Sequence, residues 1–163
     1  MSGRGTPSAV FDCMVFLQAT ASENGPAFRC LERFEAQEVD LFVSQDILDE
    51  VQDVLTRPKL QRKLTLLTNE RVSALIERLQ RRANLVSEVP KVFEYERDPK
   101  DEKYINLAIA AKVEYLVSRD LDLLDLMNET LPAGKDFMRR FPNLRIINPI
   151  AFLRELELRE GSF

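Results

Sequence analysis

Apolar residues along the chain come in two alternating forms: short unbroken runs, and stripes spaced at i, i+3, i+4 and i+7. The first run, Ala9-Val10-Phe11, stops at Asp12 and predicts a buried strand ending in an acid. After a polar break at Ser22-Glu23-Asn24-Gly25-Pro26, the positions Ala27, Cys30, Leu31 and Phe34 lie at helical spacing and predict an amphipathic helix entered through proline. Leu41-Phe42-Val43 predicts a second strand. Ser44 is placed to N-cap a helix carrying Ile47, Leu48, Val51, Val54 and Leu55, which Arg57-Pro58 closes. The stripe Val72, Leu75, Ile76 and Leu79 predicts a helix over 68–83, leading into a strand at Leu85-Val86.

In the second half, Asp98-Pro99 opens a helix through about Ala111, and 113–117 is the most strand-like run in the chain. Ser118-Arg119-Asp120-Leu121-Asp122 begins a short helix. Residues 128–142, with Pro132, Gly134 and Pro142, read as a loop-rich insertion. Leu144-Arg145-Ile146-Ile147 is a final strand, and Pro149 starts a last helix to about 158. Strands alternating with helices predict an α/β fold, with a mostly parallel sheet covered on both faces. With no repeat and no linker, the expectation is one domain over 8–158, a flexible tail at 1–7 and a C-terminal tail at 159–163.

Composition narrows the chemistry. The 163 residues contain no histidine, which excludes a Ser-His-Asp triad, a Cys-His pair and any His-containing zinc site. Carboxylate chemistry is what remains. Asp and Glu number 27 against 23 Lys and Arg, a formal charge of -4, so a polyanionic partner needs local basic patches or bound cations. The two cysteines, Cys13 and Cys30, sit among apolar residues and read as buried free thiols. No apolar run is long enough to span a bilayer, and Asp12 interrupts the first before it could serve as a signal sequence. A cytoplasmic protein is expected.

In parallel sheets, ligands bind beyond the carboxyl ends of the strands. Asp12 stands at one such end, and Asp120 and Asp122 follow the strand at 113–117. On the helix after Ser44, at about 100° per residue, Glu50 lies at the fringe of the apolar stripe, whereas Asp49 and Asp53 face away from it. Asp101 lines up with Ile105 and Ala108 and is aimed inward. A purely structural alternative is that Asp98 is an N-cap and Asp101 an N3 acid of capping-box type.

Five segments in order carry a family resemblance: VFDCMVFLQA at 10–19, NGPAFRCLE at 24–32, VSQDILDEVQDVLTRPKL at 43–60, DPKDEKYINLAIAAKVEYLVSRDLDLL at 98–124 and INPIAFL at 147–153. Together they resemble the PIN-domain ribonucleases, and among them the bacterial toxins of toxin–antitoxin pairs (the VapC-like subgroup). The resemblance implies a three-layer α/β/α fold with sheet order 3-2-1-4-5. By position it carries the family's acidic quartet onto Asp12, Glu50, Asp101 and Asp120, with Asp122 as an accessory ligand. Two departures stand out: Met14 occupies a position that is usually Asn, and Ser118 one that is usually Thr.

Carboxylates converging with neither Lys nor His among them ask for a hard cation, Mg²⁺ or Mn²⁺. The implied activity is metal-dependent cleavage of single-stranded RNA phosphodiesters, with Arg57, Lys59, Arg62, Lys63, Ser118 and Arg119 as candidate phosphate contacts. Implied partners are the RNA substrate, an antitoxin protein and a second copy in a homodimer. The alternative is a catalytically weakened PIN-fold module that binds RNA or a protein, which Met14 favours. A phosphatase or phosphoacceptor reading, which Asp12 at the end of the first strand also allows, fares worse, because no second Asp stands at Met14 and the last strand ends in Asn148-Pro149 rather than a lysine. Rossmann and P-loop readings fail for lack of glycine-rich turns.

Overall fold

The computed structural model describes residues 5–161. Five strands, β1 (Ser8–Phe11), β2 (Asp40–Ser44), β3 (Asn84–Val86), β4 (Tyr115–Val117) and β5 (Arg145–Ile147), form one parallel sheet in the order β3-β2-β1-β4-β5. The expected three-layer α/β/α architecture and strand order are thus observed. Parallel strands need crossovers, and helices supply them. α1 (Cys13–Thr20) and α2 (Pro26–Glu35) lead from β1 to β2, and α3 (Gln45–Leu55), α4 (Pro58–Lys63) and α5 (Asn69–Arg82) lead on to β3. Beyond β3 come α6 (Glu102–Ala111) and β4, then α7 (Leu121–Leu124) and α8 (Pro132–Arg140) before β5, and finally α9 (Pro149–Glu160).

Both faces of the sheet are covered. Successive strand residues point to opposite faces, yet Ala9, Val10 and Phe11 are all buried, as are Tyr115, Leu116 and Val117 beside them. β1 and β4 therefore form the centre of the core. Phe11 packs its ring against Phe16 of α1 and Phe152 of α9, with centroids 5.8 and 5.9 Å apart, so one strand residue ties together elements from both ends of the chain.

Several helices depart from expectation. α1 was not visible as a stripe because Val15, Phe16, Leu17, Ala19 and Thr20 are buried around nearly its whole circumference. Pro58 does not merely stop α3; it opens the short α4. The segment 128–142 is not loop-rich, since α8 occupies Pro132–Arg140 with Pro132 in its first turn. Phe137 docks this helix by meeting Phe93 at 5.1 Å. Gly134 is required there by close approach, because a Cβ would lie 2.2 Å from the carbonyl oxygen of Asn128. The expected N-terminal tail falls largely on residues 1–4, and the end of the C-terminal one on 162–163, outside the described residues. Arg159 and Glu160 of that expected tail belong to α9. Among the described residues no helix is long and apolar enough to cross a membrane.

Candidate metal and nucleic-acid site

The register between the two central strands builds the site. Phe11 of β1 stands beside Val117 of β4, so the residues just past them, Asp12 and Ser118, emerge side by side. The amide of Asp12 donates to the carbonyl of Val117 at 3.2 Å and continues the ladder by one bond. Asp12 then caps α1, its carboxylate accepting from the Val15 amide at 3.1 Å. Its other oxygen accepts a short hydrogen bond from the Ser118 hydroxyl.

Ser118 also accepts from the Asp120 amide at 2.9 Å, and the Asp120 carboxylate accepts from the Asp122 amide at 2.9 Å to cap α7. One fully buried hydroxyl therefore fixes Asp12 relative to the loop that carries Asp120. Serving both groups, it orients acids. The expectation that Ser118 contacts RNA is corrected on this point, since none of the side chain reaches solvent.

Asp101 arrives from the other side of the crevice, at the end of a 3₁₀ turn over Pro99–Asp101 that precedes α6. Its side chain makes no capping hydrogen bond, so the capping-box alternative does not describe it. Asp98 does cap the turn, accepting from the Lys100 amide at 3.2 Å. Carboxylate oxygens of Asp98, Asp101, Asp120 and Asp122 all lie within 4.8 Å of one another. Within this group Asp101 is 9 % exposed, and its Oδ2 is buried with no hydrogen-bond partner.

Leaving a carboxylate oxygen buried and unpartnered is costly unless it is protonated or holds a cation. The electrostatics agree. Burial pushes Asp101 up to about 8, with the charges of Asp120 and Asp98 adding to the rise. Burial also pushes Asp12 up to about 6, against the pull of its bonds from Ser118 and Val15 and with the help of Asp120. Oxygen-only donors, mutual repulsion and a buried oxygen without a partner together fit a hard divalent cation.

Glu50 and Asp12 are not in the 4.8 Å group. Half-buried on α3, Glu50 accepts a short hydrogen bond from the Tyr104 hydroxyl and pairs with the Lys103 ammonium at 3.4 Å. The expectation that no lysine stands among the acids is therefore corrected. Tyr104 is buried, which holds its hydroxyl protonated and keeps it a donor. Nearby, the Cys13 thiol is pushed up to about 12 by burial and by the charges of Glu50 and Asp12, so it is a packing group rather than a nucleophile.

The basic candidates sit at the surface. Arg57 pairs with Asp53 at 2.9 Å, Lys59, Arg62 and Lys63 are exposed, and Arg119 donates to Gln18 at 3.1 Å. Arg119 also lines an open cavity of about 740 Å³ that begins at Met14, two residues past Asp12. A second cavity, of about 770 Å³, opens beside Ser8, Asp40 and Glu114 at the amino ends of the strands, remote from the acids.

Residues 8–122, which include all these acids, match the family described as PIN domain. The chain belongs to the PIN-domain family. Members of this family are typically metal-dependent nucleases, and the acid group of this PIN domain is suited to hold such a metal. A comparison with curated proteins found no match.

Sequence reasoning missed three features of the PIN-domain site. Asp98 was accounted for by its capping role, which it does perform, and this concealed its place in the acid group. Tyr104 and Lys103 reach Glu50 only through the packing of α6 near α3. Arg97 bonds Asp122 at 2.6 Å and Asp125 at 2.8 Å, and a lone arginine in a loop gives no signal of that.

The Ser118 linkage can be tested directly. Ser118→Ala is expected to lower stability by about 1–3 kcal/mol, because the buried Asp12 carboxylate loses a donor and the Asp120 amide loses an acceptor. Ser118→Thr, which retains the hydroxyl, should stay close to wild type. Thermal unfolding of the two variants checks this, and equal stability would show that the hydroxyl does not anchor the acids.

Proposed function

We propose that this PIN domain is a metal-dependent endoribonuclease that cleaves single-stranded RNA phosphodiesters. The observation that carries the proposal is the convergence of four carboxylates on a buried, unpartnered Asp101 oxygen, in a chain whose family is one of nucleases. Asp12, Asp101 and Asp120 would hold Mg²⁺ or Mn²⁺, with Asp122 as an accessory. When bound, the metal supplies charge neutralisation for a phosphate oxygen and lowers the pKa of a coordinated water.

The chain's own groups do the rest. Ser118 keeps Asp12 and Asp120 in fixed relation, so little reorganisation accompanies binding. Glu50, held by Tyr104 and Lys103, is oriented to accept a proton from an attacking water or to contact a second cation. Arg57, Lys59 and Arg119 contribute the positive charge that draws an RNA backbone to a chain of net negative charge. The same reading makes the protein cytoplasmic, a homodimer and the toxin of a toxin–antitoxin pair, with RNA as substrate and an antitoxin protein as partner.

Cleavage of unstructured RNA should require Mg²⁺ or Mn²⁺ and vanish in Asp12→Asn. Activity that persists in excess EDTA would overturn the mechanism. Met14 favours a second reading, a catalytically weakened module that binds RNA or a protein, because a thioether cannot make the hydrogen bonds of the usual amide. If Met14→Asn raises cleavage strongly, the weakened reading gains; if it changes nothing, the amide is dispensable here.

A further inference from the structure

The cavity of about 740 Å³ beside the acids has a composition that the metal chemistry does not use. Its walls include Met14, Leu17, Leu124 and Ile150, and both Met14 and Ile150 are strongly exposed, at 46 % and 52 %. Set into these walls are three side-chain amides, Gln18, Asn24 and Asn148. Gln18 offers its oxygen to Arg119, and Asn148 offers its oxygen to the Ala151 amide, which leaves the NH₂ edge of each unpaired among the described residues. Asn24 makes no side-chain hydrogen bond among the described residues. Apolar walls with a few amide edges suit an unstacked nucleobase: surface for its faces, donors and acceptors for its rim.

Location selects the occupant. Arg119 lies between Ser118 and Asp120 and lines the cavity, so one residue joins the cavity to the loop that carries the acids. Met14 marks the same boundary from α1, two residues past Asp12. A nucleotide whose phosphate sits at the acids therefore has this cavity within reach of its base. The volume falls within the range of about 300–1,000 Å³ typical of small-molecule sites.

We propose that this cavity receives a nucleobase of the RNA next to the cleaved phosphate, with its faces against Met14 and Ile150 and its rim read by Gln18, Asn24 and Asn148. The proposal rests on the RNA-cleaving reading above and adds a determinant of sequence preference to it. Met14 thereby becomes part of the base-binding wall.

The test is fluorescence anisotropy with a labelled single-stranded hexamer of adenosines and its abasic counterpart, in buffer containing Ca²⁺, with RNA integrity checked on a gel. Wild type is expected to bind the base-bearing RNA roughly tenfold more tightly than the abasic one, the effect of withdrawing apolar base surface from water. Ile150→Ser and Asn24→Ala, both at exposed positions, should each shrink that ratio several-fold while leaving affinity for the abasic RNA unchanged. No preference in wild type, or a ratio undiminished in both variants, overturns the proposal. So does Ile150→Ser altering the oligomeric state on size exclusion while sparing the RNA ratio, which would give the cavity to a protein surface. Because binding is read without cleavage, loss of metal dependence in the nuclease assay would sink the catalytic reading while leaving this measurement decisive for the cavity.

Discussion

Asp101→Asn is expected to stabilise the metal-free protein by a few kcal/mol at pH 8 while abolishing RNA cleavage. The folded-state value of Asp101 is raised from 3.8 to about 8, so the native protein holds a proton that the unfolded chain has already released. Stability contributed by this group is greatest below about pH 4 and declines as the pH rises, levelling off once it passes about 8. Each pH unit of that interval is worth about 1.4 kcal/mol for a single group, an upper limit once relaxation of the site is allowed for. Asp12 follows the same course over a shorter span, ending near pH 6. Asn at 101 removes the charge and keeps the shape, so the decline between pH 6 and 8 should flatten in urea or thermal titrations. Added Mn²⁺ should raise the wild-type melting temperature and leave the variant unmoved. A variant that is less stable and still cleaves RNA would mean that Asp101 merely starts a helix.

Much of this arrangement is legible in the chain, for identifiable reasons. The strands around Asp12 and Asp120 are short apolar runs that stop at an acid or just before one, and the parallel register then brings the two ends together without further information. Glu50 was distinguishable from Asp49 and Asp53 because a helix has one buried face; Glu50 is half-buried, and the other two are exposed. Where burial is not one-sided, the signal disappears. α1 is buried all round and so shows no stripe, and α8 carries Pro132 and Gly134, residues that read as loop formers in isolation. Pro132 is at the helix start, where its missing N–H costs nothing, and Gly134 answers to the Asn128 carbonyl, which no local pattern announces.

The site was harder to read than the fold because its geometry depends on side chains that converge from distant segments. Asp98 has a complete local explanation as a cap, so nothing in its neighbourhood calls for another role. Tyr104 is 54 positions from Glu50, and only the packing of α3 near α6 makes them partners. The consequence is chemical as well as geometric. With Lys103 and Tyr104 holding Glu50 on one side and Asp98, Asp101, Asp120 and Asp122 gathered on the other, negative charge in the crevice is graded rather than uniform. Metal affinity concentrates at Asp101, whose buried oxygen lacks a protein donor.

The repulsion that makes this group metal-seeking should be measurable as a coupling energy between Asp101 and Asp120. Their oxygens lie within 4.8 Å, and at an effective dielectric near 20 two such charges repel by about 3 kcal/mol before screening. In a double-mutant cycle at pH 9, above the value of Asp101, Asp101→Asn and Asp120→Asn should each stabilise the metal-free protein. The double variant should gain less than the two together by about 1–3 kcal/mol, because the same repulsion is relieved in each single variant. Asn at 120 retains the oxygen that caps α7 through the Asp122 amide, so loss of the helix start does not confuse the result. At pH 6 the coupling should nearly vanish, since Asp101, with its value near 8, is already protonated. Saturating Mn²⁺ should reverse the sign of the single effects: each variant then falls below the metal-bound wild type, and the double variant falls little further, because one missing ligand already weakens the cation's hold. Additive stabilities at pH 9 would mean that burial alone sets the Asp101 value and that the two carboxylates do not act as one site.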